Sequence, residues 1–475
     1  MKNLIFLILL GIVLIQCKQQ QAHISEFAAV SQTDTGQSIN VMLTTYSTTL
    51  IANGKDQTNL RIAVVDKIGR EITSAKDSVR IYIVGDGEIT NTDGSALHTK
   101  TDTAGINYGI CRLDKGICKL LFKAGTKPDK VKIEARIPKL WLGNHEIHTI
   151  PATFVYMKPK HGQLSPTTIS IDRMMGADIS FLPELEARGM KFKDNGIEKD
   201  AILILRDHGF NYIRLRIFVN PENDKGYSPQ KGYCGLKYTL EMAIRIKNAG
   251  LKLLLDFHYS DYWADPQKQT KPLAWDNLSF KTLKDSVKVY TSKVLAALKD
   301  QGTLPDMVQV GNEINHGMMW PDGHISNPDQ LADLIKAGIE GINIVDTKIP
   351  VMLHIALGGQ NKEAVFWLDN MIARGVKFDI IGLSYYPRWH GTLDDLKFNL
   401  NHLVKRYHKP VNVVEYSNFK KEVHDIVFNL PDNLGKGAAI WEPLNWNTDM
   451  FNQNGEATNV FLIYNDLKTK YLSEK

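Results

Sequence analysis

Two glutamates sit where a folded chain rarely tolerates an isolated charge. Glu313 follows Val308-Gln309-Val310-Gly311-Asn312, and Glu415 follows Val411-Asn412-Val413-Val414. A carboxylate directly after an apolar run is costly unless something compensates it. Either glutamate alone reads equally well as a helix N-terminal charge or a loop salt bridge; the pair asks for a shared task. Hydrolysis of a glycosidic bond is such a task, since it needs one proton donor and one carboxylate facing the anomeric carbon. At neutral pH the two side chains must then sit in environments that push their proton affinities apart. Other chemistry-bearing residues occupy similar positions. They are Asp178 and Ser180, Arg214 and Arg216, the run Asp256-Phe257-His258-Tyr259-Ser260-Asp261-Tyr262-Trp263, His354, Ser384-Tyr385-Tyr386, and Trp441-Glu442. The two arginines are two apart and share one face of a strand.

These positions are the ends of eight short apolar segments. Strands are expected at 176–180, 211–218, 252–258, 307–312, 351–356, 379–385, 411–415 and 438–441, with helical patterns between them, such as 239–249 ending at Gly250 and 327–344. Eight strand–helix units in roughly 300 residues are the arithmetic of an α/β fold, the (β/α)8 TIM barrel, whose active-site groups stand at the carboxyl ends of the strands. Strands four and seven then face each other across the barrel mouth. A doubly wound sheet is the competitor, but no Gly-rich phosphate turn follows the first strand.

Residues 28–160 read differently. Alternating runs such as Leu60-Arg61-Ile62-Ala63-Val64-Val65 lie between turn signals such as Ala52-Asn53-Gly54-Lys55 and Gly85-Asp86-Gly87. That spacing predicts a small all-β sandwich, and the order of its turns resembles bacterial immunoglobulin-like domains found beside glycosidase modules. It holds no catalytic constellation, which leaves a spacer or a glycan-contacting role. The boundary falls at Met157-Lys158-Pro159-Lys160-His161-Gly162, and the barrel is expected over 168–475. Cys111 and Cys118 flank a turn at Asp114-Lys115-Gly116; they are either a cross-strand disulfide or two buried thiols. Cys234 is a lone thiol.

The first 17 residues read as an address. Lys2 precedes twelve uninterrupted apolar residues, 4–15, too short for a membrane span and of the length of a signal-peptide core. Leu14-Ile15-Gln16-Cys17 resembles a bacterial lipoprotein signal with Cys17 as the lipidated residue, although Gln16 replaces the usual small residue. Residues 18–27 would be a polar tether, and the expected location is the outer membrane, at the cell surface or its periplasmic face. The remaining composition is ordinary for a globular chain of 475 residues, 43% hydrophobic and 23% charged, which excludes disorder and fibrous repeats. Lys and Arg total 57 against 52 Asp and Glu, without a basic run, so nucleic-acid binding has no support. A monomer is expected.

Taken together, residues 172–445 resemble glycoside hydrolase family 53, the endo-β-1,4-galactanases of clan A. The matching stretches are Gly176-Ala177-Asp178-Ile179-Ser180, Ile213-Arg214-Leu215-Arg216-Ile217-Phe218-Val219-Asn220-Pro221, and Asp256 through Pro266 with Gln269 and Pro272. Gln309-Val310-Gly311-Asn312-Glu313, Ser384-Tyr385-Tyr386-Pro387 and Trp441-Glu442-Pro443 complete them. The resemblance implies Glu313 as general acid/base and Glu415 as nucleophile of a retaining mechanism, with the carboxyls about 5–5.5 Å apart. It implies β-1,4-galactan, a side chain of pectin, as the substrate. Asn312 would hold the sugar 2-hydroxyl, Arg214 would keep Glu415 ionised, and Asp178, His258 and Tyr385 are further candidate contacts. Trp441, Trp263, Trp275, Trp320 and Trp389 are candidate platforms for sugar faces. Each of these is otherwise core or loop packing. No cofactor is implied. The calcium-holding loop of some bacterial members has no counterpart in 416–425, so no structural metal is expected.

Three rivals remain. A metal-dependent barrel hydrolase needs clustered histidine and carboxylate ligands that the strand ends do not offer. Another clan A polysaccharidase, such as a β-mannanase, shares the glutamate placement and lacks only the strand-three stretch. A non-catalytic surface glycan-binding protein leaves the opposed glutamates unexplained.

Overall fold

The computed structural model describes residues 39–160, 162–444 and 449–472. Cys17, the apolar run before it and the tether at 18–27 lie outside the described residues. The chain divides after Ala152 into two compact units, each treated by itself.

In the first unit the strands alternate with the two-residue period of a half-buried sheet. Val79 and Ile81 of Ser78–Val84, and Val131, Ile133 and Ala135 of Lys130–Arg136, face a common core. A four-stranded sheet, ordered Asn40–Thr45, Gln57–Val65, Ile117–Ala124 and Gly87–Asn91, shares that core with a six-stranded one. The latter runs Thr49–Ala52, Gly143–Pro151, Lys130–Arg136, Ser78–Val84, Asn107–Arg112 and His98–Thr101. The expected turn at Asp114-Lys115-Gly116 is present, with Lys115 at φ 46° and Gly116 at φ 78°. A Cβ on Gly116 would stand 2.2 Å from the Ile72 carbonyl oxygen, so only glycine fits. The strands leaving this turn nevertheless join different sheets. The Cys111–Cys118 disulfide therefore clips the two sheets together across the core, rather than two strands of one hairpin.

The second unit starts at Thr153, before the boundary expected at 160. Its first residues are fastened to the barrel helix Asn361–Ala373. Tyr156 donates to Asp369 Oδ2 at 2.7 Å, the Met157 N–H to Asn370 Oδ1 at 3.1 Å, and the Gln163 amide to the Ala373 carbonyl at 3.3 Å. The expected boundary segment is held down by hydrogen bonds to residues more than two hundred positions away.

All eight expected barrel strands are present. They are β1 (Met174–Asp178), β2 (Tyr212–Ile217), β3 (Lys252–Phe257), β4 (Met307–Val310), β5 (Val351–Ile355), β6 (Ile380–Tyr385), β7 (Val411–Tyr416) and β8 (Gly435–Trp441), closed in that order. The chain thus carries a TIM barrel behind a β-sandwich. Residues of β2, β6 and β7 are buried along their whole length, as strands covered by helices outside and packed side chains inside must be. Met174, Tyr212, Leu254, Met307, Met352, Ile380, Val414 and Ala439 fill one apolar layer of the interior. The polar residues of the interior are left for the carboxyl ends.

Two backbone features aim those ends. Between β6 and β7 the register runs Leu383↔Val413 and then Ser384↔Glu415, so Val414 is the extra residue of a bulge that brings Glu415 level with Ser384. Tyr259, Glu313 and Glu442, each just past a strand, adopt left-handed backbone at φ 48°, 48° and 44°. Such a conformation costs a residue other than glycine about 1 kcal/mol and persists where surrounding contacts hold it.

Candidate active site

Arg214 is the hub of the barrel mouth. Lying on β2 and 1% exposed, it donates from Nη1 to Asp178 Oδ2 (2.9 Å) and Glu415 Oε1 (2.7 Å), and from Nη2 to Asp256 Oδ2 (2.8 Å) and Asn312 Oδ1 (2.8 Å). Its Nε faces Gln309 Oε1 at 3.3 Å. A buried guanidinium is tolerable only when its donors are met in this way, and four strands, β1, β3, β4 and β7, contribute to meeting them.

The two glutamates receive unlike partners. Glu415, 6% exposed, accepts from Arg214 and, on Oε2, from the Tyr386 hydroxyl at 3.2 Å. Glu313 accepts on Oε1 from the Ser384 hydroxyl at 2.6 Å. Burial pushes both carboxyls above the usual range. For Glu313 the Glu415 charge pushes further in the same direction, and Ser384 recovers only part; for Glu415 the Arg214 guanidinium is the main counterweight. Glu313 is therefore the member of the pair with the greater hold on a proton. An acid and a carboxylate with separate supports can protonate a leaving oxygen and attack a carbon at the same centre.

A second buried arginine organises the aromatic side of the mouth. Arg216, two residues along β2, donates to Glu442 Oε1 at 2.6 Å and lies 3.3 Å from Asp178 Oδ1. Its guanidinium sits between the rings of Phe181 and Trp263, 4.3 Å from each centroid. Trp263 meets Trp441 edge-on at 6.2 Å. These rings, with Tyr227, Leu185, Glu184 and Arg188, line a cavity of about 390 Å³. Burial holds the Glu442 carboxyl well above the usual range despite Arg216, and it shares a hydrogen bond with Asp178, whose own carboxyl is held low. Glu442 thus has a greater hold on a proton than Asp178. Glu442→Gln should consequently leave the melting temperature within a few degrees of the wild type, whereas Glu442→Ala should cost about 3 kcal/mol by leaving Arg216 short of a partner. Calorimetry on both variants checks this; equal losses would mean that Glu442 is ionised.

The structure brings some of the expected contacts to the mouth and withdraws others. Asn312 (5% exposed) is there, its amide oxygen on Arg214 and its Nδ2 donating to the Ala264 carbonyl at 2.9 Å. Trp263 and Trp441 line the cavity, and Trp389, 38% exposed, stands edge-on to Tyr386 at 5.9 Å. Asp178 is fully buried between the two arginines, so it holds them rather than a sugar. Both ring nitrogens of His258 are engaged, one with Asp256 Oδ2 at 3.0 Å and the other accepting the Ala264 N–H at 3.2 Å. Tyr385 is buried and donates to the Gly391 carbonyl; its neighbour Tyr386 reaches Glu415 instead. Trp275 is buried edge-on against Tyr290 at 5.9 Å, and Trp320 donates to the His316 carbonyl at 2.9 Å beside His324. Both read as loop packing.

Several residues were noted by position in the sequence but given no role. Tyr386 was within reach, because the two-residue period that turns Ser384 inward must turn Tyr386 the same way and Tyr385 outward. Ser384, His354, Gln309 and Glu442 lie at strand ends too, but nothing local marks their partners. Among the described residues no three His, Cys, Asp or Glu side chains are grouped to hold a metal ion.

Comparisons with known proteins agree with this geometry. The model of glycosyl hydrolase family 53 matches residues 174–440, which is the barrel. Residues 41–143, within the N-terminal β-sandwich, match the model of glycoside hydrolase family 2 C-terminal domain 5. A Niallia circulans protein, described by its place in the bgaB 5′ region, is 41% identical over 57% of this chain and 83% of its own length. An arabinogalactan endo-β-1,4-galactanase of Cellvibrio japonicus is 37% identical over 51% of this chain and 64% of its own. The solved Ignisphaera aggregans GH53 catalytic domain superposes with a TM-score of 0.58 at 31% identity, over 66% of this chain and 99% of that one.

Proposed function

The chain belongs to glycosyl hydrolase family 53, and from that premise we propose that it is a retaining endo-β-1,4-galactanase acting on the galactan side chains of pectin. The observation that carries the reading is the unlike support of the two glutamates: Ser384 on Glu313, Arg214 and Tyr386 on Glu415. In the first step the Glu415 carboxylate attacks the anomeric carbon while Glu313 gives its proton to the departing glycosidic oxygen. In the second, Glu313 takes a proton from water, whose oxygen attacks the same carbon and releases Glu415. Asn312, fixed by Arg214 and Ala264, is placed to bond the 2-hydroxyl. The ring-lined cavity beside Trp441 offers apolar faces to neighbouring sugars, which favours attack within a polymer.

The test is to incubate the purified chain separately with linear β-1,4-galactan, β-mannan, xylan and cellulose, with EDTA present, and to resolve the released oligosaccharides over time. Short galacto-oligosaccharides from galactan alone are expected. Products from mannan or xylan would overturn the substrate, and no products at all would leave a binding protein. The proposed display on an outer membrane rests on the apolar run and Cys17. Metabolic labelling with palmitate should mark the wild type and not Cys17→Ala; equal labelling would overturn it.

A further inference from the structure

We infer that the outer face of the six-stranded sheet in the N-terminal unit binds a polyuronate, a carbohydrate chain with a carboxylate on every sugar. Strand register defines the face. In Ser78–Val84 the residues alternate, Val79 and Ile81 pointing into the core and Arg80, Tyr82 and Val84 outward. Pairing extends the outward set across the sheet. Arg80 lies opposite Arg136 on one side and Ile110 on the other, Tyr82 opposite Glu134, Val84 opposite Lys132, and Ser78 opposite Arg112. On the edge strand Lys100 lies opposite Tyr108, and on the other side Glu146 lies opposite Lys132. With Lys130, two residues before Lys132, the face carries six cations against Glu134 and Glu146. Residues 39–152 hold 16 Lys and Arg against 12 Asp and Glu, an excess of four that this one face accounts for.

The cations of this face are mostly unpaired, and its arginines are held in place. Lys130 pairs with Glu146 at 3.3 Å and Arg136 with Glu134. Among the described residues Arg80, Lys100, Arg112 and Lys132, all exposed, form no ion pair. On the outer face of the four-stranded sheet, by contrast, Arg61 and Lys123 are bonded to Glu71 and Glu88. Tyr82 and Tyr108 stand side by side at 5.4 Å. The Arg136 guanidinium lies 4.4 Å over the first ring and that of Arg80 5.4 Å over the second. The Tyr82 hydroxyl is tied to Asp102 at 3.3 Å. A guanidinium resting on an aromatic face is already ordered, so a carboxylate meets it without the full cost of fixing a long side chain. Its planar fork matches a carboxylate, which favours an acidic chain over neutral galactan. Neighbouring strands are about 4.8 Å apart, close to the length of one pyranose unit. A chain laid across the strands thus meets the Arg136–Arg80 row and the Tyr82–Tyr108–Lys100 row with successive sugars. The choice of a uronate polymer among polyanions rests on the galactanase reading above, because galactan side chains are borne on the acidic backbone of pectin. Holding that backbone keeps the chain beside further galactan branches.

Titration of the purified full chain with polygalacturonate should show binding that weakens steeply as salt is raised, as counterion release requires. The fourfold variant Arg80→Gln, Lys100→Gln, Arg112→Gln, Lys132→Gln should bind at least about tenfold more weakly, the scale of four exposed ion pairs lost together. A control variant, Lys55→Gln, Lys67→Gln, Lys115→Gln, Lys119→Gln, loses the same charge elsewhere on the unit and should bind as the wild type does. If the fourfold variant fails to fold, Lys100→Glu with Lys132→Glu leaves both stacked arginines in place and should weaken binding in the same direction. Equal losses in face and control variants, or no binding by the wild type, would overturn the proposal. Binding to phosphatidylglycerol vesicles but not to polygalacturonate would overturn it in favour of a membrane surface. All variants should cleave isolated linear galactan at the wild-type rate. Polygalacturonate binding with no galactan cleavage by the wild type would sink the galactanase reading and keep the site; cleavage without binding would sink the site alone.

Discussion

Glu415→Ala is expected to lower galactan turnover by at least about 10⁴-fold, in line with nucleophile removal in other hydrolases, while leaving the barrel no less stable than the wild type. The stability half follows from the charge count at the mouth. Two buried guanidiniums, Arg214 and Arg216, face four carboxyl groups, Asp178, Asp256, Glu415 and Glu442. Removing Glu415 takes away surplus negative charge and leaves Arg214 with Asp178 and Asp256 still bonded. On the proposed mechanism the reaction needs that surplus, which is the usual trade between stability and activity. Azide should enter the vacated space and return turnover, with a glycosyl azide of inverted configuration as product. Steady-state rates, product configuration by NMR and a melting curve check the three parts; near-normal turnover, or a large fall in melting temperature, would refute the assignment.

Arg214→Lys is expected to be the most damaging conservative change in the molecule. Lysine carries the same charge but concentrates it at one nitrogen, and no single nitrogen reaches the acceptors from four strands that the guanidinium bonds from three. At least one of Asp178, Asp256 and Glu415 then loses its bond to the buried cation, a loss of about 3 kcal/mol. Activity should fall by at least about 10²-fold, the scale of losing one positioned donor at a reacting group. The pH profile should move as a whole. Arg214 is the main influence opposing the rise that burial imposes on Glu415, and it acts the same way, less strongly, on Glu313. Glu415 must be ionised and Glu313 protonated, so weakening this influence raises both the acid and the alkaline limbs. Calorimetry and kcat/KM against pH measure these effects, and an unshifted profile would show that the arginine only supports the fold.

Much of the scaffold was legible because its signals are local. Each barrel strand is a short apolar run closed by polar residues, and every one of the eight lies within a few residues of its expected place. The pattern of Glu313 and Glu415, each at the end of such a run, needs no knowledge of distant contacts. The turn at Gly116 was equally legible from three residues. Its consequence was not, because a turn sequence says nothing about which sheet the next strand will join, and the disulfide bridges sheets accordingly. The segment after Thr153 misled for a similar reason. Lysine, proline and glycine suggested a domain boundary at 157–162, but Asp369 and Asn370 on a distant helix already bind the chain at Tyr156 and Met157.

By itself the sequence determined the barrel, the sandwich before it and the two glutamates, since period, turn chemistry and a charge behind an apolar run are properties of neighbours in the chain. Only the tertiary structure decided which glutamate has the greater hold on a proton, that Asp178 and His258 serve arginine and aspartate rather than sugar, and that Tyr386 takes the place expected of Tyr385. Proton affinities and hydrogen-bond polarity depend on through-space distances. Arg214 and Glu415 are 2.7 Å apart in space and 201 residues apart in sequence, and no local pattern of residue types records such a pairing.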